Sequence, residues 1–262
     1  MFDSGVGGLS VLREIRRLLP DEALLYVADS GHAPYGDRAA GFVEARAMAI
    51  TEFLLSCEAK AIVVACNTAT SIAVAALRSR FALPIVAMEP AVKPAVRATR
   101  TGVVGVLATS NTLSGANVAR LIAEHGSGAE ILTQACPGLV ECVEAGELDG
   151  ERVRGLVASY IAPLRERGAD TLVLGCTHYP FLAAAIRDAA GPGVSIIDPA
   201  TAVARQLQRR LGDARLLEAG AAQASERFWS SGPLEQARAV IRRLWNAPVE
   251  VEALPSHERI ER

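Results

Sequence analysis

The strongest constraint on how this chain can fold is an alternation that runs its whole length. Short apolar runs at residues 24–28, 61–66, 84–87, 103–108, 130–133, 171–175, 194–197 and 249–252 are separated by longer stretches. Those at 42–55, 117–125, 152–167 and 234–245 place apolar residues three and four apart, the spacing of one helix face. Continuous apolar runs of four to eight residues suit strands buried on both sides, and strands alternating with helices imply a mostly parallel sheet covered by helices. The expected fold is therefore α/β.

Two of the runs resemble each other. Ala61-Ile-Val-Val-Ala-Cys66-Asn67-Thr68 and Thr171-Leu-Val-Leu-Gly-Cys176-Thr177-His178 both read as buried strand and polar turn, followed by helical patterns at 71–78 and 181–187. Residues 103–110 match the start of the chain as the first strand of a second unit. Proline-rich crossings at Glu89-Pro90-Ala-Val-Lys93-Pro94 and Ile197-Asp198-Pro199-Ala200 read as the two connections, because proline ends regular structure and stiffens a linker. The expectation is two pseudo-symmetric parallel-sheet α/β domains, residues 1–90 with 200–262 and residues 91–199, with the active site in the cleft between them. Ligands of α/β proteins bind at the carboxyl ends of strands.

Each repeat puts a thiol just before a helix, where the positive end of the helix dipole favours a thiolate. Asn67, Thr68 and Thr177 supply caps or hydrogen-bond donors for an anion. A single buried cysteine is usually inert packing, whereas two in matched settings point to chemistry. His178, two positions past Cys176, leaves the same face if the segment stays extended, and it can exchange a proton with the thiol. Asp3 can do the same for Cys66 if the sheets bring them together.

Two loops add donors. Asp3-Ser4-Gly5-Val6-Gly7-Gly8 is a glycine-rich turn into a helical pattern at 10–19, either an anion cradle with Ser4 as hydroxyl donor or a bare tight turn. Ser10 stands where a dinucleotide fingerprint has its third glycine, so that site is disfavoured. Asp29-Ser-Gly-His32-Ala-Pro34-Tyr35-Gly36 follows a strand; Tyr35 can offer a hydroxyl and Gly36 a backbone N–H to a carboxylate, or the corner is only a turn. His32 reads as a solvated loop residue, and the acidic stretch 141–147 as a solvated face in which Glu144 alone is worth following.

Composition excludes several classes. A formal net charge of −2 with no basic run gives no footprint for nucleic acid. No apolar stretch approaches the roughly 20 residues that span a bilayer, and no secretory signal is visible, so a cytoplasmic location without membrane contact is expected. Five cysteines without a C-x-x-C pair suggest neither a disulfide framework nor a zinc site, and Cys57, Cys136 and Cys142 read as packing. Lys60 and Lys93 are the only lysines, and neither is placed for the Schiff base that pyridoxal phosphate needs.

Taken together, Phe2-Asp3-Ser4-Gly-Val-Gly-Gly-Leu9, Pro34-Tyr35-Gly36, Ala65-Cys66-Asn67-Thr68-Ala69, Glu89-Pro90-Ala91, Cys136-Pro137 with Glu144-Ala-Gly146, and Gly175-Cys176-Thr177-His178-Tyr179-Pro180 resemble the glutamate racemases. Ser231-Gly232-Pro233 also fits. The resemblance implies a cofactor-independent, metal-free exchange of L- and D-glutamate that supplies bacterial peptidoglycan synthesis, in a homodimer. Carried over by motif, Cys66 and Cys176 are the acid/base pair, with Asp3, His178 and Glu144 assisting. Asp3, Ser4, Tyr35, Gly36, Asn67, Thr68, Thr112, Thr177 and His178 fall on substrate-binding positions. Members of that family carry several residues before Asp-Ser-Gly that form a central strand, whereas Met1 and Phe2 alone precede it here, so a natural start further upstream is expected. Competing readings are an aspartate racemase, which tends to carry an acidic residue in place of His178, a two-lobed binding protein, and a Cys/His hydrolase that leaves Cys66 without a role.

Overall fold

The computed structural model describes residues 1–218, 220 and 224–255, so residues 256–262 of the first expected unit lie outside the described residues. The ten strands among the described residues form two parallel sheets. The first has six strands: β1 (Phe2–Asp3), β2 (Leu24–Ala28), β3 (Ile62–Val64), β4 (Ile85–Ala87), β9 (Glu226–Ser230) and β10 (Val251–Ala253), in the order β10-β9-β2-β1-β3-β4. The second has four: β5 (Val103–Ala108), β6 (Glu130–Ala135), β7 (Thr171–Leu174) and β8 (Ser195–Ile197), in the order β6-β5-β7-β8.

Helices fill the connections: α1 (Leu9–Leu18), α2 (Ala40–Ser56), α3 (Asn67–Arg80), α4 (Val92–Ala98), α5 (Ser110–Ser114), α6 (Ala116–His125), α7 (Leu139–Glu144), α8 (Glu151–Glu166), α9 (Ala183–Ala190), α10 (Ala200–Asp213) and α11 (Leu234–Trp245). No described helix is long and apolar enough to cross a membrane.

The inward stripe of α1, Leu9, Val11, Leu12 and Ile15, is almost wholly buried, and each such side chain contributes about 1.5–3 kcal/mol of burial. Arg16 and Arg17 in its last turn complement the carbonyl end of the dipole, and Pro20 follows its end. The cluster that contains this stripe continues through Leu139, Val143, Leu174 and Tyr179 on the side of the second sheet. The two sheets are thus joined by packed apolar surface as well as by chain.

Three expectations change. The residues at 226–230 form β9, which the periodicity missed: Glu226 and Arg227 mask a strand whose Phe228 and Trp229 are buried against Tyr26 and Phe53. The prolines of the two crossings begin helices rather than end structure. Pro94 lies in the first turn of α4, and Pro199 precedes α10, where Asp198 Oδ1 accepts from Ala200 N at 2.9 Å. A missing N–H costs nothing in a first turn. Finally, the stretch 141–147 is solvated on one side only: Glu141 and Glu147 are exposed, while Cys142 and Val143 of α7 are buried and Glu144 is half-buried.

Register sets the site. Phe2 lies level with Val27 and Val64, so Asp3, Asp29 and Cys66 all leave the carboxyl edge of the first sheet. Leu107 lies level with Leu174 and Ala108 with Ala135, so Thr109, Cys136 and Cys176 leave the corresponding edge of the second.

Candidate active site

Those edges meet at a cavity of about 270 Å³. Ser4, Tyr35, Gly36, Cys66, Asn67, Thr68, Thr112, Cys176, Thr177 and His178 line it, each a residue singled out by sequence. Thr109, Val140, Pro34 and Gly175 complete the wall. Asp3 and Glu144 stand behind it. Neither lysine lines it: Lys60 pairs with Glu22 at 2.9 Å and Glu218 at 3.0 Å beside a larger and more open cavity, about 1340 Å³, at the amino-terminal edge of the first sheet. That larger space is walled by Leu12, Ile15, Leu24 and Val63 and carries no matched pair of thiols. Among the described residues no group of three His, Cys, Asp or Glu is placed to hold a metal ion.

Cys66 is the N-cap of α3, and its Sγ accepts from Ala69 N at 3.4 Å. The expected preference for thiolate is nevertheless overturned. Burial raises the Cys66 pKa well above the usual thiol value, and the nearby negative charge of Asp3 raises it further, so one weak bond at the helix end is outweighed. Cys66 rests as a neutral thiol.

Cys176 sits differently. The chain after it turns at Thr177 and His178, then runs through a 3₁₀ turn, Tyr179–Leu182, into α9. His178 has helical dihedrals, φ −75° and ψ −32°, so the expected extended geometry is absent. The turn itself brings His178 Nδ1 to 3.6 Å from Cys176 Sγ. On the other ring edge His178 Nε2 lies 2.6 Å from Glu144 Oε1. Burial opposes an imidazolium here, but the contacts with Cys176 and Glu144 together outweigh it and hold the His178 pKa well above its ordinary value. The charged ring thus stands beside the Cys176 sulfur.

Glu144 is anchored from three sides. Its Oε1 also accepts from Val6 N at 2.6 Å, and its Oε2 from Ser30 Oγ at 2.8 Å. Ser30 was missed because it becomes relevant only through a residue 114 positions away. The glycines of the first turn now have a reason: a Cβ on Gly5 would collide with the Glu144 carboxylate, and one on Gly7 with the His178 ring.

Asp3 is wholly buried and ties the glycine-rich turn together, accepting from Ser4 N at 2.7 Å and Gly8 N at 2.6 Å. It also accepts from Ser4 Oγ at 3.3 Å and from Thr177 Oγ at 3.0 Å, the latter across to the second sheet. Burial raises its pKa, while His178 and Thr177 oppose the rise. No hydrogen bond joins Asp3 to Cys66 in this structure; the Asp3 charge acts on that thiol through space.

Two further placements matter. Both polar atoms of the Asn67 side chain are buried without a partner among the described residues, a state that costs about 1–3 kcal/mol per group. Thr68, Thr109 and Thr112 close a triangle of hydroxyls at 2.9–3.1 Å that spans the two sheets. Thr109 follows β5 as Cys66 follows β3, a positional signal that the sequence did contain. Tyr35 does not turn its proton to the cavity; it donates to buried Asp29 Oδ2 at 2.5 Å. His32 is likewise bound, with Nδ1 3.0 Å from Asp29 Oδ1.

Comparison with known proteins agrees with this geometry. Residues 7–207 match the family model described as Asp/Glu/Hydantoin racemase. A glutamate racemase of Ectopseudomonas mendocina is 57% identical over 242 residues, covering 92% of this chain and 92% of that protein. The crystal structure of a Bacillus anthracis glutamate racemase isoform superposes with a TM-score of 0.88 at 33% identity, over 97% of this chain and 96% of that one. The Escherichia coli glutamate racemase, solved with L-glutamate and the activator UDP-MurNAc-Ala, gives 0.86 at 34% identity, over 97% and 96%.

Proposed function

Because the chain belongs to the Asp/Glu/hydantoin racemase family, we propose that it interconverts L- and D-glutamate without a cofactor, using Cys66 and Cys176 as the two acid/base groups. The observation that carries this reading is the pair of thiols, one from each sheet, on one small cavity whose buried amide, Asn67, has no partner among the described residues.

A Cα–H beside a carboxylate is a very weak acid. Removing it needs a base in contact and fixed donors where charge develops, in a site that excludes water. The two thiols are held unequally, as the chemistry demands. Cys66 is neutral, while Cys176 lies beside the charged His178 ring. The Cys176 thiolate takes the Cα proton, the Cys66 S–H returns its own proton to the other face, and the two protonation states are exchanged when product forms. The opposite enantiomer then starts from the exchanged state. Asn67, Thr68, Ser4 and Thr177 are the donors that would hold the substrate's carboxylates and the charge that develops beside Cα.

Residues 1–90 with 200–262 and residues 91–199 are the two lobes of this proposal, and D-glutamate for peptidoglycan synthesis is its physiological product. A homodimer working in the cytoplasm completes it; sedimentation velocity would give the oligomeric state directly. The decisive assay is incubation with L-glutamate in heavy water without added cofactor, following Cα deuteration and optical rotation. Deuteration with loss of rotation is expected, and absence of exchange refutes the proposal.

A further inference from the structure

The loop after β2 carries more polar construction than a turn needs. Asp29 is wholly buried, and four side-chain donors converge on it. Arg46, from α2, grips it with both arms of its guanidinium, Nε to Oδ2 at 2.9 Å and Nη2 to Oδ1 at 2.7 Å. His32 Nδ1 and the Tyr35 hydroxyl complete the set. Burial alone would raise the Asp29 pKa, but Arg46 and Tyr35 hold it below its ordinary value, so the carboxylate stays charged. Ser231, just after β9, backs the same loop: its Oγ accepts from Gly31 N at 3.1 Å, and its carbonyl leaves no room for a Cβ on Gly31.

A buried ion pair gains little over well-packed apolar side chains, so its presence calls for a reason other than bulk stability. That reason lies on the far side of the loop. Tyr35 and Gly36 form one wall of the cavity, and Thr109 presses on Gly36 from the second sheet, where an added Cβ would come within 2.9 Å of it. The wall is thus held between the Asp29 brace below and the second sheet above.

We propose that Asp29 and Arg46 are positioning residues for substrate binding, acting through the Tyr35 hydroxyl to hold the Pro34-Tyr35-Gly36 corner against the bound substrate. Tyr35 is then a pin between brace and wall, not a hydroxyl ligand of the substrate. This role presupposes the racemase reading of the cavity. It explains Asp29, Gly31 and His32 together with Ser231-Gly232, which the acid/base chemistry leaves unused.

The test is steady-state racemisation of glutamate by the full chain and by Tyr35→Phe, Asp29→Asn, Arg46→Lys and the Asp29→Asn/Tyr35→Phe double variant, with Tm measured for each. Tyr35→Phe and Asp29→Asn should each raise KM about tenfold or more while kcat changes by only about twofold, the loss expected of one charge-assisted bond. Because Asp29 acts through Tyr35, Asp29→Asn should add almost nothing once Tyr35 is Phe. Arg46→Lys keeps the charge but loses the two-armed grip, and its KM should fall between parent and Asp29→Asn. Additive KM effects in the double variant, or a lowered Tm with KM unchanged, would overturn the proposal. Should Asp29→Asn fail to fold, an unchanged KM in Tyr35→Phe and Arg46→Lys overturns it equally. Absence of turnover in the parent sinks the racemase reading and this role with it, whereas a working parent with either adverse pattern sinks this role alone.

Discussion

Replacing Glu144 by Gln removes one charge and little volume, which makes it a direct probe of the relay behind Cys176. Glu144 Oε1 lies 2.6 Å from His178 Nε2, and this carboxylate helps to keep the ring charged against its burial. A hydrogen bond to a charged group is worth about 1.5–3 kcal/mol, and one pKa unit corresponds to about 1.36 kcal/mol. The His178 pKa should therefore fall by about one to two units. If charged His178 sustains the Cys176 thiolate, activity is lost as pH rises through the His178 pKa, so the alkaline limb of the rate profile should move to lower pH by the same amount. Stability gives an independent check of sign. A raised folded-state pKa stabilises fully below the unfolded imidazole value of about 6.5 and is lost as pH rises through the folded value. The variant should thus melt below the parent near pH of about 6 and converge with it at high pH. Polarimetry across pH, with L- and D-glutamate as separate substrates, reads the first effect. The two enantiomers have equal free energy in achiral solvent, so kcat/KM must stay equal in both directions, and any asymmetry between the half-sites appears only in kcat and KM taken separately. A uniform loss of rate with the alkaline limb unmoved would refute the reasoning and leave Glu144 as a prop for the Val6 turn.

Other outcomes follow from the same geometry. Cys66→Ala and Cys176→Ala should each abolish racemisation yet retain Cα–H exchange in heavy water for one enantiomer, a different one in each case; exchange of both enantiomers by either variant would rule out two bases on opposite faces. Gly7→Ala places a methyl group into the His178 ring and should suppress turnover with little change in the circular dichroism of the fold; near-parental activity would show that the ring is free to move. Asn67→Ala removes a buried amide without partners, so Tm should hold or rise, by about 2–4 °C per kcal/mol recovered for a chain of this size, while KM for glutamate rises. A marked fall in Tm would mean that the amide is bonded in solution and not waiting for a ligand.

Much of this molecule was legible before any coordinates. Strand and helix identity at residues 24–28 and 103–108 and in α2 and α11 follows from local periodicity, because which face is buried depends on spacing along the chain. The strand-Cys-turn repeats marked both thiols for the same reason. Where the signal was short or mixed it failed: β9 opens on two charged residues, and the prolines near 94 and 199 begin helices that their composition alone reads as linkers.

The site divides along the same line. Sequence by itself determined which residues reach the carboxyl edges of the sheets, since two residues beyond a strand end is a local fact. Only the tertiary structure decided what each does there. Asp3 binds Thr177 from 174 residues away, Glu144 binds Val6 from 138, and Asp29 accepts a hydrogen bond from the Tyr35 hydroxyl under the grip of Arg46. The same holds for charge. A helix end promised a thiolate at Cys66, but burial and a neighbouring carboxylate keep that thiol neutral, while contacts with Cys176 and Glu144 together keep His178 charged. Desolvation and through-space charge depend on distances in the folded molecule, and those distances are absent from the order of residues.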